Sequence, residues 1–162
     1  MTALEDLRVG LGIDLHRLVA GRACVLGGVT VPAPVGPDAH SDGDVILHAL
    51  CDALLGAAGL PDLGTLFPDS DPRHKGRSSS EFVRDVMNRV QTLRWRVLNA
   101  DIVVECEQPK IAPQRQAICT RIAQLLQVTE DRVNLRGKTG EKCDAIGRGE
   151  AIRATAVVLL AR

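Results

Sequence analysis

The sequence predicts an α+β fold, an α/β sandwich in which a small mixed β-sheet is covered by helices. Three observations carry that expectation. RVGLGIDLH (8–16) alternates strictly, with Val9, Leu11, Ile13 and Leu15 on one face and Gly10, Gly12, Asp14 and His16 on the other, the period of a strand. DVILHALCDALLGAA (44–58) is apolar except at Asp44, His48 and Asp52, too long for a strand and closed by Gly59 and Pro61, the signature of a buried helix. AIRATAVVLLA (151–161) supplies another β-rich apolar run.

The remaining elements follow in order. CVLGGVTV (24–31) reads as two short extended pieces around a Gly-Gly turn. Ser41 is the expected N-cap of the first helix, with Asp44 at the capping-box position and Gly59 as the stop. In SSSEFVRDVMNRVQTLRW (78–95), Ser78 and Glu81 repeat the capping signal, and Phe82, Val86, Val90 and Leu93 recur helically. NADIVVEC (99–106) is a buried strand, PQRQAICTRIAQLLQV (113–128) a helix, and VNLRG (133–137) another strand. The segments between them are short and no repeat divides the chain, so residues 1–162 form one domain, long enough to bury about two-thirds of its unfolded surface.

Charge and composition exclude whole classes of function. Twenty basic and twenty acidic side chains cancel, which removes a general electrostatic argument for nucleic acid or an anionic membrane as partner. No stretch approaches the roughly 18 consecutive apolar residues of a membrane span, and MTALEDLRVG has no leader pattern. Five cysteines, odd in number and without a C-x-x-C pair, read as reduced, mostly buried thiols. The expected compartment is the cytoplasm.

The chemistry concentrates in AHSDGDVILHALCDALLGAAG (39–59) and IDLH (13–16). Asp44, His48 and Asp52 stand four residues apart and form one polar line on an otherwise buried helix. A lone His48 there reads as a core histidine satisfied by its neighbours. Asp14 and His16, two apart on a strand, project together where the alternation gives way to the expected loop RLVAG. One carboxylate and two imidazoles supply three ligands and leave a position open, as in a catalytic zinc site. The same set serves a two-His-one-carboxylate iron oxygenase, less suited to a chain with few strands and 2% aromatics.

The other polar segments suit phosphate chemistry. His40 lies just ahead of the expected helix N-cap, where free N–H groups favour an anion. DLGTLFPDSDPRHKG (62–76) gathers Asp62, Asp69 and Asp71 in a turn-rich loop, a hydroxyl binder, a lid or simply a solvated loop. RGKTGEKCDAIGRGE (136–150) sets Arg136, Lys138, Lys142 and Arg148 around Thr139 and Glu141, a combination suited to a polyphosphate with a hard divalent ion. Gly137 and Gly140 would free the backbone to approach an anion and turn Lys138 inward. Neither G-x-G-x-x-G nor a Walker A motif is present. A metal-dependent phosphoryl-transfer enzyme, a phosphohydrolase and a metal-stabilised binding protein all remain open on these residues.

DLH, AHSDGDVILHALCDALLGAAGLPDLGTLFPDSDP with the following KG, QPKIAP and GRGEAI together resemble the 2-C-methyl-D-erythritol 2,4-cyclodiphosphate synthases nearly end to end. The resemblance implies a homotrimeric phosphorus–oxygen lyase of non-mevalonate isoprenoid synthesis, with active sites between subunits and a cytidyl diphosphate substrate cyclised with release of CMP. It implies Zn2+ on Asp14, His16 and His48, and Mg2+ or Mn2+ on Glu141 and the substrate phosphates. His40 and Ser41 would hold the phosphate and erythritol region, and Asp62 and Gly64 the sugar hydroxyls. Phe67 to Asp71, including Asp69, would cover them. Cys106 to Ala112, centred on Pro109 and Lys110, would cradle cytosine. Thr139 would orient the β-phosphate and Arg148 would meet phosphate, which makes His40 and Thr139 the expected catalytic contacts. The chain departs from the family pattern where Lys138 and Gly140 replace hydroxyl residues and Ala145 replaces an aromatic. The all-round apolar helix and final strand, with few aromatics for a private core, also predict more buried surface than one chain can use.

Overall fold

A computed structural model describes residues 6–162; the first five residues of the segment read for a leader lie outside it. The elements are β1 (Leu7–Ala20), β2 (Cys24–Leu26), β3 (Val29–Val31), β4 (Val35–Pro37), α1 (Val45–Ala58), α2 (Leu63–Leu66), α3 (Ser79–Thr92), β5 (Arg96–Glu105), α4 (Arg115–Leu126), β6 (Val133–Lys138), α5 (Asp144–Gly147) and β7 (Ala151–Ala161). Five strands form one sheet in the order β4-β1-β7-β5-β6, antiparallel except for the parallel pair β5–β6. The sheet is therefore mixed, as expected, and β2–β3 forms a separate hairpin whose turn residues Gly27 (φ 59°) and Gly28 (φ 77°) both need the left-handed region.

The core lies between the sheet and α1, α3 and α4. Alternate residues of β7, Ile152, Ala154, Ala156, Val158 and Leu160, are buried, as are Leu47, Leu50, Leu54 and Leu55 of α1 and Ile118 and Ile122 of α4. Helix α1 is thus buried by its own chain, and its apolar composition does not signal a surplus surface.

Strand β1 holds that surplus instead. Its glycine-bearing face meets α1: a Cβ on Gly10 would stand 1.9 Å from the Ala53 carbonyl oxygen, and one on Gly12 1.9 Å from that of Ala49. Small residues on both elements therefore let helix and strand backbones approach directly. The opposite face exposes more than half of Leu7, Val9, Leu11, Ile13 and Leu15, with Val157 of β7 beside them. Contiguous apolar area of this kind on one sheet face is unusual for a chain that works alone. The strand also runs on through RLVA to Ala20, because its end pairs with β4, so Asp14 and His16 lie within the strand and not at its end.

Helix α1 begins later than the sequence reading placed it. Asp44, not Ser41, is the N-cap: its Oδ1 accepts from Leu47 N at 3.1 Å and from Gly27 N at 2.9 Å, and its Oδ2 from Gly28 N at 2.6 Å. Three backbone donors hold this fully buried carboxyl, although burial pushes its pKa up to about 6. The helix N-terminus is already filled by a carboxylate, so the anion-binding argument drawn there for His40 does not hold. Helix α3 also differs: Ser78 makes no side-chain cap bond, Glu81 pairs with Arg77, and Asp42 receives Ser79 N at 2.9 Å from outside the helix. No helix of the described residues is long and apolar enough to cross a membrane.

Candidate metal centre and substrate clefts

Strand and helix periodicities bring Asp14, His16 and His48 together. Asp14 and His16 project from the same face of β1 toward α1, and His48 stands one turn into that helix, next to the Ala49 that packs on Gly12. Asp14 Oδ2 lies 2.9 Å from His16 Nε2 and 3.1 Å from His48 Nδ1, and the two ring nitrogens are 3.3 Å apart. Burial pushes the Asp14 carboxyl up, but hydrogen bonds from His16 and then His48, with their charge, hold it well below the usual carboxylate range. Burial lowers His48 while the bond to Asp14 raises it further, for a net upward shift. One oxygen and two imidazole nitrogens thus converge from three partly buried side chains, which are the one group of this kind among the described residues that could hold a metal ion.

A cleft of about 330 Å³ opens over this centre. Of the residues singled out in the sequence for chemistry, it is lined by Asp14, His16, His40, Ser41, His48, Asp52, Gly64, Phe67 and Asp69, joined by His74 and Phe82. Asp52, the third member of the helical polar line, accepts from Leu63 N at 2.7 Å and so fastens α2 beside the site. The segment 62–76 is not one open loop: Asp62 caps α2 through Thr65 N at 2.8 Å, and Asp71 is held by the Arg73 guanidinium at 2.5 Å. Both carboxylates lie outside the lining of the cleft, already engaged within their own segment.

A second cleft, of about 470 Å³, is lined by Cys106, Pro109, Lys110, Ala112, Lys138 and Thr139, with Ile111, Arg115, Leu135, Arg136 and Gly137. Cys106 donates to the Pro109 carbonyl at 3.4 Å, and burial pushes its thiol up to about 12, so it acts as packing and not as a nucleophile. The two clefts share no lining residue.

Glu141 and Arg148 lie outside both linings. Glu141 Oε1 accepts from Thr139 Oγ1 at 2.8 Å, and Arg148 pairs with Glu150 at 3.0 Å. Gly137 and Gly140 do not serve the freedom expected of them. A Cβ on Gly137 would meet Ile111 at 2.8 Å, and one on Gly140 would meet Gly147 N at 2.4 Å, so both permit close packing. Positive φ falls on Gly149 (71°) and, without a glycine's freedom, on Glu141 (50°), Lys142 (61°) and Asp144 (51°). Three such residues in one loop mark locally stored strain, a feature common at functional segments.

Sequence reasoning missed Ser79 and Asp42. Ser79 Oγ lies 2.9 Å from His48 Nε2, and it donates in turn to Asp42 Oδ1. Ser79 stands 37 residues from Asp42, and in SSSE it is indistinguishable from a helix cap. Cys24, Cys51, Cys106 and Cys119 are buried free thiols as expected, and Cys143 is exposed.

Residues 7–161 match the YgbB family. The chain is 49% identical over 155 residues to the 2-C-methyl-D-erythritol 2,4-cyclodiphosphate synthase of Azoarcus sp. strain BH72, covering 96% of each chain. It superposes with a TM-score of 0.88, at 44% identity, on a solved 2C-methyl-D-erythritol-2,4-cyclodiphosphate synthase in its CDP-bound form, covering 94% of this chain and 99% of that one. It also fits the bifunctional IspDF from Campylobacter jejuni with a TM-score of 0.94 at 37% identity, spanning 98% of this chain but only 43% of that longer one. With its strands, its helices and its Asp14–His16–His48 centre all inside the matched range, the chain belongs to the YgbB family.

Proposed function

We propose that the protein is a 2-C-methyl-D-erythritol 2,4-cyclodiphosphate synthase, a phosphorus–oxygen lyase that cyclises 4-diphosphocytidyl-2-C-methyl-D-erythritol 2-phosphate and releases CMP. The observation that carries this reading is the convergent Asp14–His16–His48 centre, inside a chain that matches synthases of this name almost end to end. The donor set suits zinc, and Glu141 with the substrate phosphates suits magnesium or manganese. Bound divalent ions supply neutralisation of charge between two phosphates brought together.

The chain's own residues position and enclose. His40 and Ser41 face the metal cleft beside the imidazoles and suit the phosphate and erythritol end of the substrate, with Gly64, Phe67 and Asp69 around the sugar. The second cleft suits the cytidine, in keeping with the CDP held by the solved relative. Thr139 lines that cleft next to Glu141, a position suited to orienting the diphosphate. An oxygen of the substrate's 2-phosphate attacks the β-phosphorus. The bond from that phosphorus to the oxygen bridging the α-phosphate breaks, and its electron pair leaves with CMP. The attacking phosphate is largely dianionic at neutral pH, with a second pKa of about 6, so no protein base is required. Holding both ends of one molecule together recovers part of the roughly 7–11 kcal/mol available from proximity.

The separation of the two clefts favours completion of each site by a neighbouring subunit. The exposed β1 face supplies the surface for a homotrimer. Light scattering is expected to give about three times the 17.4 kDa chain mass. Ile13→Lys, on that face, is expected to release folded single chains that bind zinc but turn over no substrate; an Ile13→Lys enzyme that remains trimeric and active would remove the interface from this strand.

Products identified by mass after incubation with the cytidyl substrate, zinc and magnesium test the reaction itself. Cyclic diphosphate with CMP is the expected result; a linear phosphate product would make the protein a hydrolase, and binding without turnover a binding protein. The free thiols accord with a cytoplasmic enzyme.

Lys138 lines the second cleft beside Thr139, where the family pattern has a hydroxyl. With its charge on the diphosphate, Lys138→Thr is expected to lose rate most at low magnesium and to recover as magnesium saturates. Glu141→Gln, which loses a ligand to a divalent ion, is expected to cost more throughout. Rates across a magnesium titration check both, and a Lys138→Thr enzyme more impaired than Glu141→Gln at saturation would reverse the two roles.

A further inference from the structure

We infer that Ser79, held by Asp42, is a positioning residue that fixes which nitrogen of His48 carries the ring proton and so leaves Nδ1 free to coordinate. The inference rests on the metal reading of the Asp14–His16–His48 centre.

Hydrogen-bond polarity carries the argument. Asp42 accepts three bonds: from Ser79 N at 2.9 Å, from Asp44 N at 3.1 Å, and from the Ser79 hydroxyl. A serine hydroxyl has one hydrogen, and here it is spent on Asp42. Ser79 Oγ, 2.9 Å from His48 Nε2, can then only accept from that nitrogen. A neutral imidazole that donates from Nε2 has its lone pair on Nδ1, the atom facing Asp14 and His16. Ser79 is fully buried, so water does not compete for the bond. The Phe82 ring, edge-on to His48 at 6.3 Å, limits rotation of the imidazole.

Ser41 Oγ also approaches Nε2, at 3.3 Å, but with no carboxylate to consume its hydrogen it can donate or accept. It cannot impose a tautomer by itself. The same Asp42 ties the entry of α1 to the first turn of α3, so the group that orients the ligand also anchors the two helices around it. Partners that orient metal-bound histidines in this way typically change metal affinity by 10- to 100-fold when removed.

Two measurements test the proposal. In the zinc-loaded wild-type protein, long-range proton–nitrogen NMR is expected to find the His48 proton on Nε2, with Nδ1 on the metal side. A predominantly Nδ1-protonated ring would overturn the inference without any variant. Ser79→Ala keeps the backbone N–H that Asp42 receives, and its thermal unfolding is expected to stay close to wild type. Its zinc dissociation constant, from chelator competition with zinc alone, is expected to rise 10- to 100-fold, and Ser79→Thr is expected to restore much of the loss. Unchanged zinc affinity in a folded Ser79→Ala protein would also overturn it. Failure of the wild-type protein to bind zinc would instead sink the metal reading itself, a result distinct from either tautomer.

Discussion

His48→Ala is expected to lose bound zinc and at least about 10³-fold in turnover while the chain remains folded. The ligand stands on a helix whose other side chains are packed within the core, so removing it leaves the packing of Leu47, Leu50 and Leu54 in place. What disappears is one of the three donors and, with it, Lewis-acid stabilisation of several kcal/mol, each 1.36 kcal/mol being tenfold in rate. Asp14 loses one of the two imidazoles that hold its pKa down, so its carboxyl is expected to shift upward toward the usual range. Elemental analysis, circular dichroism and a product assay on the same preparation check the outcome. Zinc retained at one per chain in His48→Ala would show that the ion sits elsewhere.

Gly12→Ala carries the largest expected effect on stability. A methyl group there would stand 1.9 Å from the Ala49 carbonyl oxygen and 2.6 Å from Ala53 N, both backbone atoms that no rotamer change can move. Helix α1 would have to lift from β1 by more than an ångström. The expected cost is about 3–5 kcal/mol, beyond ordinary overpacking because the obstacle is main chain. For a chain of this length that lowers the melting temperature by about 10 °C or more. The same shift draws His48 away from Asp14 and His16, so zinc affinity is expected to fall with stability. Gly56→Ala is the matched control on the same helix, since its Cβ would find only Leu11 O at 3.9 Å. It is expected to be neutral or to stabilise by about 0.5–1 kcal/mol through helix propensity. A Gly12→Ala protein that melts with the wild type would mean that the seam has slack the structure does not show.

The meeting of Asp14, His16 and His48 was legible in the sequence because two short-range periodicities specify it. Asp14 and His16 share a strand face by a step of two, and His48 marks the polar line of an apolar helix. Ser79 and Asp42 were not legible, since each doubles as an ordinary cap residue and their meeting depends on how α3 packs against α1. The start of α1 was misplaced because HSDGD offers several capping side chains in succession. Which one caps is decided by the Gly27–Gly28 turn, whose N–H groups need the Asp44 carboxylate. Alternation in β1 was plain, but not which face turns inward. Apolar bulk argues for the leucine face, and the glycines win because α1 has only alanines at the contact.

That inversion makes β1 a strand whose reading frame is itself essential. Insertion or deletion of a single residue between Leu7 and Asp14 would offset the tract behind it from the tract ahead by half a pleat. If the distal part stayed paired with β7, Leu7 and Val9 would be driven against the alanines of α1. If the proximal part stayed, Asp14 and His16 would swing out to the apolar surface and Ile13 and Leu15 would take their places facing His48. Changes of two residues keep the parity and alter only length, so tolerated length variation in this strand should come in even steps.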